Sequence, residues 1–190
     1  MSDTSLSLSV IDTLDAISAA QWDGLVGAQP MLSHAFLHAL HDTGCASART
    51  GWQPQYLLAH EGDALVGAMP LYLKSHSRGE YVFDQGWAEA YARAGGRYYP
   101  KLQISIPFTP ATGPRLLMRA DSDQSVLRPL LAEGLKSIAQ KLNTSSVHAT
   151  FLTQSDADIF SKAHYLSRVD QQFHWFNESY QSFDAFLDAL

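Results

Sequence analysis

One cysteine, Cys45, is all the thiol chemistry in 190 residues. That excludes an internal disulfide and a thiolate zinc cluster, and it points to a reducing, cytoplasmic setting. No apolar run approaches the roughly 18 residues of a membrane span. The opening MSDTSLSLSVIDTLD is polar, acidic and broken by serines, without the basic flank and apolar core of a secretory leader. Positive charge is also scarce: the first 48 residues hold no Lys or Arg, and the formal net charge is -6. Affinity for nucleic acid grows with the number of phosphates that Lys and Arg neutralise, so DNA is not expected as a partner and tRNA is disfavoured.

Familiar catalytic signatures are missing too. There is no GxSxG elbow, no HExxH, no GxxxxGK phosphate loop and no GxGxxG, and the stretch GLVGAQP lacks the strand that should precede a phosphate turn. The Q/R-x-x-G-x-G/A turn that grips the pyrophosphate of coenzyme A is absent as well. His34, His38 and His41 fall on one stripe at helical offsets, a spacing a transition metal could use. Phe36, Leu37 and Leu40 lie opposite, which places the imidazoles on the solvated face, and no metal site is expected.

What is present suits one domain with a real core: 46% of residues are hydrophobic and 17% charged. Helices are read at Ala16 to Val26 and in HAFLHALHDTG behind Ser33 as N-cap. YLLAH, the turn EGD and ALVGAMPLYLK form a hairpin signal, with an irregularity expected at Pro70 because proline cannot donate to a ladder. WAEAYARAG reads as a helix. In RYYPKLQISIPF, Leu102, Ile104 and Ile106 alternate with Lys101, Gln103 and Ser105, the period of a strand. A long helix follows from Ser125 to Leu142, then SSVHATFL as a strand, SDADIFSKAH as a helix capped by Ser155, QQFHWFN as a strand, and a terminal helix after Ser182. The order predicts an α/β (α+β) fold, one mixed sheet with helices on both faces.

The chemistry concentrates in two stretches flanking one predicted helix, KSHSRGEYVFD and RYYPKLQISIPFTPATGPRLL. They could bring Lys74, His76, Glu80, Asp84, Tyr98, Tyr99, Lys101, Thr109 and Arg115 together near strand ends. Lys and Arg pair with carboxylate or phosphate oxygens, His accepts a proton near neutral pH, and Tyr gives a rigid wall with a hydroxyl at its tip. The structural alternative is a polar loop in which Glu80 pairs with Lys74 or Arg78 and Asp84 turns the chain ahead of Trp87.

The string PLYLKSHSRGEYVFDQGWAEAYARAGGRYYPKLQISIPFTPATGPRLL resembles the FemAB-like family of N-acyltransferases, of the peptidoglycan biosynthesis or recognition type, within the GNAT superfamily. SHAFLHAL, GWQPQYLL and QQFHWFNESYQSFDAFLDAL carry the likeness over nearly the whole chain. It implies a GNAT-like, mostly antiparallel sheet and transfer of an acyl or aminoacyl group to the amino group of an amino-acid, peptide-like or cell-wall-like acceptor. Acyl-CoA or aminoacyl-tRNA would be the donor. By this analogy His76 or Glu80 is the general base, Lys74, Lys101 and Arg115 hold an anionic group, and Tyr98, Tyr99 and Thr109 line the pocket. For His174, beside Trp175, a buried and hydrogen-bonded ring is expected. Members carry two GNAT-like halves, so residues 1–180 are read as one such domain and residues 181–190 as the start of a helix leading to a second. That second half, or a homodimer, is the expected partner. The rival expectation is a non-catalytic GNAT-fold module that binds or regulates.

Overall fold

The structure is a computed structural model, and it describes residues 5–190; the first four residues of the polar opening lie outside them. The first element is one the composition disguises. LSLSVI forms strand β1, Leu6–Ile11, in the polar opening where no element is read from the sequence. Leu8 packs against the core while the serines alternate with the apolar positions, the period-2 signature of a half-buried edge strand.

Helix α1, Ala19–Val26, starts on a capping box of Ser18 and Gln21. Helix α2, His34–Asp42, starts on Ser33, whose side chain accepts from the Phe36 amide. The two are fastened by the Trp22 indole N–H, which donates to the Leu32 carbonyl at 2.8 Å inside the core.

Strand β2 is Trp52–Pro54, β3 is Tyr56–Glu61, β4 is Ala64–Met69 and β5 is Leu71–Lys74. They form one long hairpin that changes sheets halfway. At Pro70 and Gln55 both arms break, and the ladder resumes in a second sheet. The structure thus has two four-stranded sheets where one was expected, ordered β1-β3-β4-β7 and β2-β5-β6-β8. Here β6 is Lys101–Ile104, β7 Leu117–Met118 and β8 Val147–Ala149. Every pairing is antiparallel except β6 with β8. The cause is local, since Pro70 offers no N–H to continue the ladder.

Helices cover both faces of the first sheet. Leu58 and Ala68 join the cluster around Trp22, Leu25 and Leu37 of α1 and α2. Helix α3 is Gln85–Arg93, and α4 is Gln124–Lys141. Leu57, Ala59 and Val66 turn the other way, into the cluster with Leu127, Leu131, Leu135 and Ile138 of α4. Gly134 lets α4 approach β1 closely, because a Cβ there would stand 2.4 Å from Leu8 Cδ1. Helix α5 is Gln154–Lys162, with Thr153 rather than Ser155 as its cap, and α6 is Phe183–Leu187. No helix among the described residues is long and apolar enough to cross a membrane.

The segment QQFHWFN, expected as a strand, forms none among the described residues, and His174 is exposed, not buried. Its ring stacks on Phe176 and its Nε2 meets Gln172 Oε1 at 2.9 Å. Aromatic content gives the segment strand propensity, but a strand needs a neighbour's amides and carbonyls, and none lies alongside among the described residues.

Candidate functional site

The second sheet has two unlike faces. Leu71, Leu73, Leu102, Ile104, Val147 and Ala149 point one way and pack in the α4 cluster. By register, the other face gathers Trp52 opposite Lys74, Lys74 opposite Lys101, Tyr72 opposite Gln103, and Gln103 opposite His148. The alternation in KLQIS would ordinarily expose Lys101, Gln103 and Ser105 to water. Instead all three are buried, as are Lys74, Trp52 and Tyr72.

The segment 75–99 roofs this polar face. Gly51 helps seat it: its φ of +73° suits glycine, and a Cβ there would lie 2.4 Å from His76 Nε2. From the roof Glu80 and Asp84 descend onto the two lysines. Lys101 Nζ donates to Glu80 Oε2 at 2.7 Å and to Asp84 Oδ2 at 2.6 Å. Lys74 Nζ stands 3.8 Å from Glu80 Oε1 and 3.5 Å from the centroid of the Trp52 ring, a cation–π contact. Tyr98 Oη donates to Asp84 Oδ2 at 2.8 Å. All four charged side chains are at most 1% exposed.

Burial sets the electrostatics. It raises the Glu80 carboxyl above its usual range, against the opposing pull of Lys101 and Lys74. It lowers Lys74 to about 7, with Glu80 resisting. For Asp84 burial pushes upward too, but Lys101, then Ser77 and Tyr98, outweigh it and hold the carboxyl below its usual range. The Tyr98 hydroxyl is raised by burial and by its bond to Asp84. One oxygen on each carboxylate, Glu80 Oε1 and Asp84 Oδ1, has no hydrogen-bond partner among the described residues; neither do Gln103 Oε1 and Ser105 Oγ on the floor.

Of the residues singled out from the sequence, Lys74, Glu80, Asp84, Lys101 and Tyr98 meet in this cluster. Tyr99 is in the roof beside it, its hydroxyl 2.7 Å from Ser77 Oγ. His76 borders it: its Nδ1 accepts from the Arg78 amide at 3.2 Å, and burial, then Lys74 and Arg78, lower its pKa. Thr109 and Arg115 are engaged elsewhere. Thr109 Oγ1 donates to the Pro107 carbonyl, and the Arg115 guanidinium to the Ala111 and Pro114 carbonyls. Burial lowers Arg115 to about 10, with Asp156 resisting. Asp156 accepts from its backbone amide and from that of Leu116, and pairs with Arg128. This second polar knot ties the 105–116 loop to α4 and α5.

Trp52, Gln103 and His148 belong to the same face, although the sequence does not single them out. A signal for two of them lies in the alternation of KLQIS and SSVHAT, which sets Gln103 and His148 on one face once the parallel register is known. His148 Nε2 lies 2.9 Å from Ser146 Oγ, and its ring meets Tyr98 edge-on.

The histidine stripe on α2 is not solvated as expected. His34 Nε2 meets the Leu14 and Ile17 carbonyls at 3.2 and 3.0 Å, His38 pairs with Asp15, and His41 Nε2 lies 2.8 Å from the Tyr56 hydroxyl. The Tyr56 hydroxyl in turn meets that of Tyr72 at 2.9 Å. Each ring is committed to a protein partner, and no metal-ligating group of three or more converges among the described residues.

His41 and His148 share one consequence. Burial lowers each from 6.5 to about 4. Between those values the unfolded chain binds protons that the folded chain refuses. Their contribution to stability is therefore complete above about pH 6.5 and is lost as the pH falls toward 4. The urea midpoint is expected to drop between pH 7 and pH 5, and His148→Gln to flatten that drop. Equal slopes for the two proteins would mean that His148 titrates normally in the fold.

Two solved structures share this architecture. A ribosomal-protein-alanine N-acetyltransferase from Brucella melitensis biovar Abortus 2308 aligns with a TM-score of 0.51 and 11% identity, over 90% of this chain and 100% of that one. A Trypanosoma brucei acetyltransferase aligns with a TM-score of 0.52 and 15% identity, again over 90% and 100%. At these identities the likeness establishes the GNAT-type fold. No curated protein matches the sequence. The model of the FemAB_like family, described as peptidoglycan biosynthesis/recognition, matches residues 13–190. The chain belongs to the FemAB_like family.

Proposed function

We propose that the protein takes part in N-acyl transfer and that the buried polar face of the second sheet receives the amino acceptor. The observation that carries this reading is Glu80, a buried carboxylate between two lysines with one oxygen unpartnered among the described residues. An acceptor bearing both an ammonium and a carboxylate matches that charge pattern. Its ammonium would meet Glu80 Oε1 and Asp84 Oδ1, and its carboxylate would meet Lys74 or Lys101.

In the reaction the ammonium gives a proton to Glu80, whose raised pKa suits a general base, with His76 beside it. The freed amine nitrogen attacks the acyl carbonyl of a thioester or ester, a C–N bond forms, the C–S or C–O bond breaks, and the second nitrogen proton passes to the leaving group, which departs as thiol or alcohol. Tyr98 and Tyr99 shape the wall. Thr109 and Arg115, which the family resemblance assigns to pocket lining and anion holding, act through the loop they fasten.

Donor anchoring is a separate matter. In the pyrophosphate cradle of a GNAT-type helix, N-terminal amides face the anion. At α4 the Asp123 carboxylate already accepts from the Ser125 amide and hydroxyl, and Asp121 lies two residues ahead. These residues do not fit a pyrophosphate, so no step is assigned to coenzyme A here. An aminoacyl ester is the other donor class.

A second reading, a GNAT-fold module that binds or regulates without catalysis, is favoured by the closed state of the cluster and by that acidic helix start. Turnover separates the two. The protein is incubated with acetyl-CoA or an aminoacyl ester and a panel of amino acids, and acceptor-dependent release of thiol or alcohol is measured. Release that requires an acceptor supports transfer. Acceptor-induced thermal stabilisation without release from any donor favours the binding module.

A further inference from the structure

The last stretch of the chain is unlike the rest. Residues 169–190 carry Asp170, Glu178, Asp184 and Asp188 and no Lys or Arg. They also leave large apolar side chains in water: Phe173 is 87% exposed, Trp175 64%, Phe176 77% and Phe183 70%. Singly such residues need no explanation, but here they are clustered and partly organised.

The rings form a cavity. Trp175, Asn177, Tyr180, Ser182, Phe183 and Phe186 line a space of about 410 Å³. Phe186 anchors it: Trp175 and Tyr180 each stand edge-on to it at 5.5 Å, and Phe183 lies at 5.9 Å. Ser182 caps α6 and Asn177 closes a turn with the Tyr180 amide, so the rings are held by short-range structure. Arg168 and Gln172 tie the arm to the body through the Phe83 and Pro110 carbonyls.

Aromatic faces attract cations, and around this pocket residues 175–188 carry Glu178, Asp184 and Asp188 and no cation, Asp170 being paired with Arg168, so the pocket attracts cations over a longer range. A second copy of this acidic chain would bring like charge to like charge. We propose that the aromatic cavity is the docking site of a basic, amphipathic polypeptide segment, with one Lys or Arg side chain entering among the four rings. Apolar residues of that segment would cover Phe173 and Phe176, and its remaining cations would face the carboxylates. The proposal uses no residue of the buried polar cluster, so its failure and that of the acyl-transfer reading are separate.

A synthetic amphipathic peptide of Leu and Lys at helical spacing is the probe, titrated calorimetrically into the whole chain. The Lys peptide is expected to bind, more weakly as salt rises. A peptide with Gln at every Lys is expected to bind about tenfold or more weakly. Trp175→Ala and Phe183→Ala are expected to cost a similar factor, each at an exposed position where circular dichroism should stay unchanged. Asp184→Asn combined with Asp188→Asn should weaken binding, whereas Asp12→Asn with Asp63→Asn, exposed carboxylates elsewhere, should not. Equal affinity for the two peptides, or equal weakening by both Asn pairs, would overturn the proposal. So would self-association in sedimentation that Phe183→Ala abolishes, because it would assign the face to a second copy.

Discussion

Lys101→Met is expected to destabilise the fold by about 3–5 kcal/mol, the usual cost of removing one partner from a buried ion cluster. The substitution keeps the aliphatic stem and removes only the ammonium, so packing changes little. What remains is the penalty. Lys101 is fully buried and donates to Glu80 and Asp84 at 2.7 and 2.6 Å. Without it two buried carboxylates would face each other, with only Lys74 nearby at 3.8 Å from Glu80. Against a typical total stability of about 5–15 kcal/mol that is a large share. Urea denaturation of the variant provides the measurement. Adding Asp84→Asn to Lys101→Met should recover part of the loss, because the second change removes a charge that the first stranded. A loss below about 1 kcal/mol, typical of an exposed pair, would show that water reaches the cluster and that the roof over the sheet is open in solution.

Glu80→Gln is expected to reduce acceptor-dependent turnover by about 10²–10⁴-fold, the range for loss of a general base. The amide has the size of the carboxylate but cannot take the ammonium proton. A purely structural Glu80 could also lower activity when changed, so the pH profile is the deciding readout. In the native protein the acid limb should lie above the ordinary glutamate range, because burial raises Glu80. In Glu80→Gln the residual rate should lose that limb. His76→Ala should lower the rate while keeping the limb, since His76 borders the cluster and Glu80 stands inside it. Native rates in Glu80→Gln would return the whole polar face to a structural role. An acid limb lost in His76→Ala instead would make His76 the base.

The cluster is partly legible in the amino-acid sequence. KSHSRGEYVFD and RYYPKLQIS stand out because charged and aromatic residues interrupt strand-forming sequence on both sides of one helix. Four of the residues these stretches offer, Lys74, Glu80, Asp84 and Lys101, meet in space, with Tyr98 bonded to Asp84. Arg115 and Thr109 stand apart from the cluster for a common reason. They follow β6 in a loop rich in Pro and Gly, whose path is set by contacts with α4 and α5, not by local preference. His148 and Trp52 escape notice because each sits in a short strand with no charged neighbour in sequence.

Local rules determined most of the elements. Ser18 and Ser33 as helix starts, the hairpin around Gly62, the apolar stripe of α4 and the break at Pro70 each follow from side-chain and backbone chemistry within a few residues. Two things were decided only by the tertiary structure. One is that the Lys101, Gln103 and Ser105 face of β6 is buried, because the segment 75–99 folds over it and brings Glu80 and Asp84 to its lysines. The other is that QQFHWFN, with the composition of a strand, has no strand beside it among the described residues. Both depend on which distant segment arrives as neighbour. Alternation fixes which residues share a face, but whether that face meets water, a carboxylate or another strand depends on the packing of the whole chain.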